Sequence, residues 1–124
     1  MTKASKRAAL IIGMSCAAIG LVSTPAHAES TDQYDAVQYQ FCGNNDVAEL
    51  EFTNKYGNSQ KEFVDMSDGC RYYRFTETDE YGGFASASVT DEDGGAVSCT
   101  IWVNGRVVAK SNDNSEYYSW ASCY

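Results

Sequence analysis

The amino-acid sequence predicts an all-β protein, a small immunoglobulin-like antiparallel β-sandwich stapled by two disulfides. Three observations carry that expectation. Apolar and polar residues alternate with period two over several short stretches, the mark of half-buried strands. Turn-forming residues separate those stretches, and no convincing helical period follows the first 28 residues. Four cysteines, Cys42, Cys70, Cys99 and Cys123, fall in the part of the chain expected outside the cytoplasm. In an oxidising compartment four cysteines make two disulfides. Three pairings are open; Cys42 with Cys70 and Cys99 with Cys123 is the expected one, because each pair brackets a local group of strands.

Export is read from residues 1–28. Lys3, Lys6 and Arg7 form a positive start, an uncharged apolar run extends from Ala8 to Val22, and Ala26-His27-Ala28 is a small-x-small cleavage pattern. Cleavage is expected after Ala28. An uncleaved anchor is the alternative, but the run is shorter than the roughly 20 residues a spanning helix needs and is interrupted by Gly13, Ser15 and Gly20. Lipidation at Cys16 is a third option, and Gly13-Met14-Ser15 before it matches a lipobox poorly. Cleavage leaves 96 of the 124 residues, a single domain near the size where a core alone is marginal.

Residues 29–35 are polar and aperiodic and are expected as a flexible leader, with the domain spanning 36–124. Val37, Tyr39 and Phe41 alternate with Gln38 and Gln40, giving a first strand up to Cys42. Gly43 to Asp46 reads as a turn, and Ala48, Leu50 and Phe52 alternate with Glu49, Glu51 and Thr53 in a second strand. Turn formers from Asn54 to Gln60 lead to a weaker strand, Lys61 to Met66. Cys70 to Thr76 is rich in aromatic residues that suit a pleated surface, and Thr78 to Gly83 interrupts it. Phe84 to Thr90 is a small-residue strand followed by an acidic loop, Asp91 to Gly95. Val97, Cys99, Ile101 and Val103 then alternate with Ser98, Thr100 and Trp102. Asn104-Gly105 supplies the two positive-φ positions of a tight hairpin, with Arg106 to Lys110 returning. A polar loop, Ser111 to Ser115, precedes a last strand, Tyr117 to Cys123.

Charge and composition exclude several chemistries. After cleavage six basic residues face 17 acidic ones, a net charge of about −11, which disfavours nucleic acid and anionic membrane surfaces. His27 is the only histidine and leaves with the signal, so His-based triads and His-ligated metal sites are excluded from the mature chain. No Cys-x-x-Cys pair occurs, and no catalytic constellation, cofactor or metal is expected. Asp91-Glu92-Asp93-Gly94 and Thr78-Asp79-Glu80 are read as solvated acidic turns, since neither has ordered calcium-ligand spacing. Aromatic residues are in excess of what one thin core can hide. Tyr72, Tyr73, Trp102, Tyr118 and Trp120 are therefore the candidate binding surface for a sugar chain, a lipid-like molecule or a protein partner.

The run Cys99-Thr100-Ile101-Trp102-Val103-Asn104-Gly105-Arg106-Val107-Val108, with the closing Ala121-Ser122-Cys123, resembles the MmpS-type transport accessory proteins of actinobacteria. That family has Cys-x-Ile-x-Val-Asp-Gly-x-x-Val and a closing Ala-x-Cys. Phe84 to Val89 is similar to its small-residue strand, and Val37 to Phe52 fits its opening strands more loosely. The resemblance implies an immunoglobulin-like sandwich with Cys99 bonded to Cys123, serving as an envelope accessory to a resistance-nodulation-division (RND) transporter of lipids or siderophores. Asn104 stands where the family has Asp, Cys42 and Cys70 are additional, and a cleaved signal removes the anchor that would tether the domain beside a pump. The expectation is a non-enzymatic secreted or cell-envelope binding module; the alternative is a small secreted proteinaceous inhibitor or toxin-like effector presenting Thr78 to Gly83 or Ser111 to Glu116.

Overall fold

The computed structural model describes residues 29–44 and 47–124, so the signal segment lies outside the described residues. Ten strands follow in order: β1 (Glu29–Thr31), β2 (Ala36–Cys42), β3 (Val47–Thr53), β4 (Ser59–Asp65), β5 (Cys70–Thr76), β6 (Gly83–Ala85), β7 (Ala87–Asp91), β8 (Val97–Val103), β9 (Arg106–Asp113) and β10 (Ser119–Cys123). Two four-stranded antiparallel sheets, β10-β7-β3-β4 and β5-β2-β8-β9, pack face to face, and β1 pairs β6 in a small third sheet. The protein is an immunoglobulin-like antiparallel sandwich stapled by Cys42–Cys70 and Cys99–Cys123.

Alternation explains the core. Val37, Tyr39 and Phe41 of β2 and Val97, Cys99, Ile101 and Val103 of β8 turn inward from one sheet; Ala48, Leu50, Phe52, Ala87, Val89 and Ala121 meet them from the other. Each fully buried large side chain contributes roughly 1.5–3 kcal/mol. At one side of the sandwich β10 lies against β8 and β9. At the other, the outer strands β4 and β5 are linked by side chains: Tyr73 Oη donates to Glu62 Oε1 at 2.8 Å and Arg71 Nη2 to the Asp65 carbonyl at 3.0 Å.

The Asn104-Gly105 turn forms as its sequence predicts, with φ of 53° and 80°. Asn104 does more than turn the chain. Its Oδ1 accepts from Ala36 N and its Nδ2 donates to Asp35 Oδ1, fastening the hairpin to the start of β2. That double role, acceptor and donor, suits Asn and not Asp.

Four local expectations are corrected. Residues 29–35 are fastened instead of forming a flexible leader: β1 pairs β6, buried Thr31 donates to buried Glu77 at 2.9 Å, and Tyr34 N donates to the Glu77 carbonyl. A three-residue strand anchored by a polar pair leaves no periodicity to read. The strand expected over Phe84 to Thr90 divides at Ser86, whose carbonyl is taken by Thr53 N, so β6 and β7 join different sheets. Strand β9 runs on to Asp113, past the expected loop start, because Ser111, Asn112 and Asp113 pair with Cys99, Ser98 and Val97. Asp91, expected in a solvated turn, ends β7 with its side chain buried and its Oδ1 accepting from Asp93 N.

Candidate functional site

Because Val37, Tyr39 and Phe41 point inward, Gln38 and Gln40 must point outward, and strand register then dictates which outward residues share a face. On the outside of the β5-β2-β8-β9 sheet, Arg74, Gln38, Trp102 and Val107 form one row, one residue from each strand. The next row is Tyr72, Gln40, Thr100 and Lys110. Neither row contains an acidic residue, in a chain with 17 of them. The polar groups are held in place. Arg74 Nε donates to Gln38 Oε1 at 2.9 Å, and Gln40 Nε2 donates to Tyr72 Oη at 3.0 Å. The Nε contact leaves the Arg74 terminal nitrogens in the fork geometry that receives carboxylate or phosphate.

A groove of about 720 Å³ lies on this face, lined by Trp102, Val37, Gln38, Arg74, Thr76 and the turn glycine Gly105 among others. It is an open trough, within the volume range of ligand sites. Asp35, next in sequence to the lining residue Ala36, is bound to Asn104; hydrogen bonds from Asp32 N and Asn104 hold its carboxyl below the usual range. A smaller hollow of about 310 Å³, lined by Phe52, Tyr56, Tyr73 and Arg74 among others, opens between the β4 and β5 sides, so Arg74 contributes to both walls.

The five aromatic residues singled out from sequence do not form one patch. Tyr72 and Trp102 share the outer face just described, in adjacent rows and two strands apart. Tyr73 turns inward, its ring 4.5 Å from Phe52 and 5.8 Å from Phe41. Burial and then the Glu62 carboxylate push its phenol up to about 12. Trp120 lies on the outside of the other sheet, in register with Thr90, and Tyr118 is exposed just before β10. Gln38 and Arg74 escaped the sequence search. Their alternation with Val37, Tyr73 and Phe75 was visible, but only strand order places them beside Trp102.

The opposite outer face is different in kind. Glu49, Glu51 and Asp65 project there with Lys61, whose Nζ is 3.1 Å from Glu49 Oε2. Among the described residues, no group of three or more His, Cys, Asp or Glu is arranged to hold a metal ion, and no helix is long and apolar enough to cross a membrane. The two disulfides are consistent with an extracellular protein. Compared with protein-family models, curated proteins and solved structures, the chain matches none.

Proposed function

We infer that the chain is a non-enzymatic, secreted or cell-envelope binding module whose ligand lies on the Trp102 face, and that the ligand is a sugar chain bearing anionic groups. The observation that carries this is the acid-free pair of rows around Trp102. An indole offers a flat apolar platform for a ring, while Arg74, Gln38 and Lys110 supply donors for hydroxyls and carboxylates. The trough is open along the sheet, which suits an extended chain better than a lipid tail that needs enclosure. The setting is the envelope role implied by the resemblance of residues 99–108 and 121–123 to transporter accessory domains. The Cys99–Cys123 bridge, which that resemblance implies, supports the setting.

The test is a titration of intrinsic tryptophan fluorescence with an oligogalacturonate and, as a neutral comparison, a cello-oligosaccharide. Saturable quenching by the acidic chain is expected, weakened by salt, lost at least tenfold on Trp102→Ala and retained on Trp120→Ala; tenfold corresponds to about 1.4 kcal/mol. Quenching unchanged in Trp102→Ala, or no binding of either probe, overturns the assignment.

A second reading, a secreted inhibitor or toxin-like effector, is favoured by one feature. The loop after β5 is pinned at its base by Glu77 and carries Tyr81 at 91 % exposure, a fixed aromatic tip. Loss of effect on a target protein by Tyr81→Ala, with Trp102→Ala silent, would select it.

A further inference from the structure

Independently of that ligand site, the outer edge of β4 carries a self-complementary pattern. Strand β4 is terminal in its sheet, and no described strand pairs with its outer side. Its backbone polarity follows from the hairpin. Asn54 N donates to the Asn58 carbonyl across the turn, while Thr53 N turns away to Ser86. The Thr53–Ser59 pair is therefore not hydrogen-bonded, and by antiparallel alternation the N–H and C=O groups of Ser59, Lys61, Phe63 and Asp65 point to the open edge. The same residues present side chains on the outer face, where Phe63 is 70 % exposed in the middle of the strand.

We propose that β4 pairs with β4 of a second copy, antiparallel about a two-fold axis at Phe63, joining two four-stranded sheets into one. In that register the outward backbone groups of Lys61, Phe63 and Asp65 meet outward groups of the partner. Phe63 lies against the partner's Phe63, and Lys61 lies against the partner's Asp65, twice by symmetry. The Arg71 contact to the Asp65 carbonyl is given up or shared. A slip of two residues sets Lys61 or Asp65 against Phe63, so the charges that protect a bare edge from indiscriminate pairing also select this register. Glu62, on the inner side, keeps the Tyr73 hydroxyl as its partner.

Sedimentation equilibrium of the purified protein over a concentration series tests this. A monomer–dimer equilibrium is expected, weakened at least tenfold by Phe63→Asp, by Lys61→Asp and by Asp65→Lys alone, and restored when Lys61→Asp and Asp65→Lys are combined. Thermal melts establish that each variant is folded, since Lys61 also pairs Glu49 and Asp65 accepts from Ser67 N. As a second measurement, Phe63→Cys is expected to oxidise to a covalent dimer, and Ser88→Cys, on the central strand β7, to stay monomeric. A protein monomeric at every concentration, leaving the edge to a strand from some other protein, overturns the proposal. So does a dimer that Phe63→Asp leaves intact, or a folded charge-swapped variant that stays monomeric.

Discussion

The two disulfides close loops of nearly the same length, 28 and 24 residues apart, yet they fasten different things. Cys42 and Cys70 are register partners on neighbouring strands of one sheet, on its half-exposed outer side, with Cα atoms 4.1 Å apart. Cys99 and Cys123 lie in different sheets, at 0 % and 1 % exposure, and their sulfurs cross the core. The first bond joins strands that backbone hydrogen bonds already hold. The second joins two sheets that otherwise cohere by apolar contact and a few side-chain hydrogen bonds, with no backbone ladder between them. Restriction of the unfolded chain is worth about 3.5 kcal/mol for either loop in the chain-entropy model, so any difference must arise in the folded state.

That difference is open to measurement. Replacing Cys99 and Cys123 together by Ala is expected to cost about 1–2 kcal/mol more than replacing Cys42 and Cys70, because the buried pair also leaves a cavity between the sheets. Denaturant unfolding of the two double variants checks it, and equal losses would break the comparison. Exposure sharpens it: mild reductant followed by alkylation and mass mapping should label Cys42 and Cys70 first. Cys99 and Cys123 should be protected until the sandwich opens globally.

Acid tests both regions at once. Asp65, beside the Cys70 turn, accepts from Ser67, and Asp113, beside the last strand, accepts from Trp120 N and Ser115; both carboxyls are held below their ordinary range. A carboxylate with a depressed folded pKa contributes stability that is present above its unfolded value and lost as pH falls through the folded one. The melting temperature should therefore drop as pH falls below about 4, the unfolded Asp value. Asp113→Asn is expected to flatten that limb. Tyr73 acts in the opposite sense, its stabilisation fading as pH rises from about 10, the unfolded Tyr value, towards its raised one. The smallest effect belongs to the hairpin: Asn104→Asp loses the donor to Asp35 and sets two carboxylates together, at a cost of about 1 kcal/mol in thermal stability.

Much of this is legible in the sequence alone. Val37-Gln38-Tyr39-Gln40-Phe41 states its own pleat, and Asn104-Gly105 states its own turn, because side-chain alternation and positive φ are properties of a few consecutive residues. The bracketing of local strands by neighbouring cysteines anticipated both bridges. Where the signal was long-range, it was missed. Thr31 and Glu77 are 46 residues apart, and nothing in either neighbourhood announces a buried pair that ties down the start of the chain. Tyr72 and Tyr73 look interchangeable in sequence, yet one lies beside Gln40 at the surface and the other against Phe52 in the core.

The sequence by itself determined the alternating faces, the hairpin turn and the cysteine pairs, since period-two patterning is enforced residue by residue through burial. Only the tertiary structure decided which strands are neighbours. Strand order is set by contacts between distant segments, and it is this order that assembles Arg74, Gln38 and Trp102 into one acid-free row and leaves β4 with an open edge.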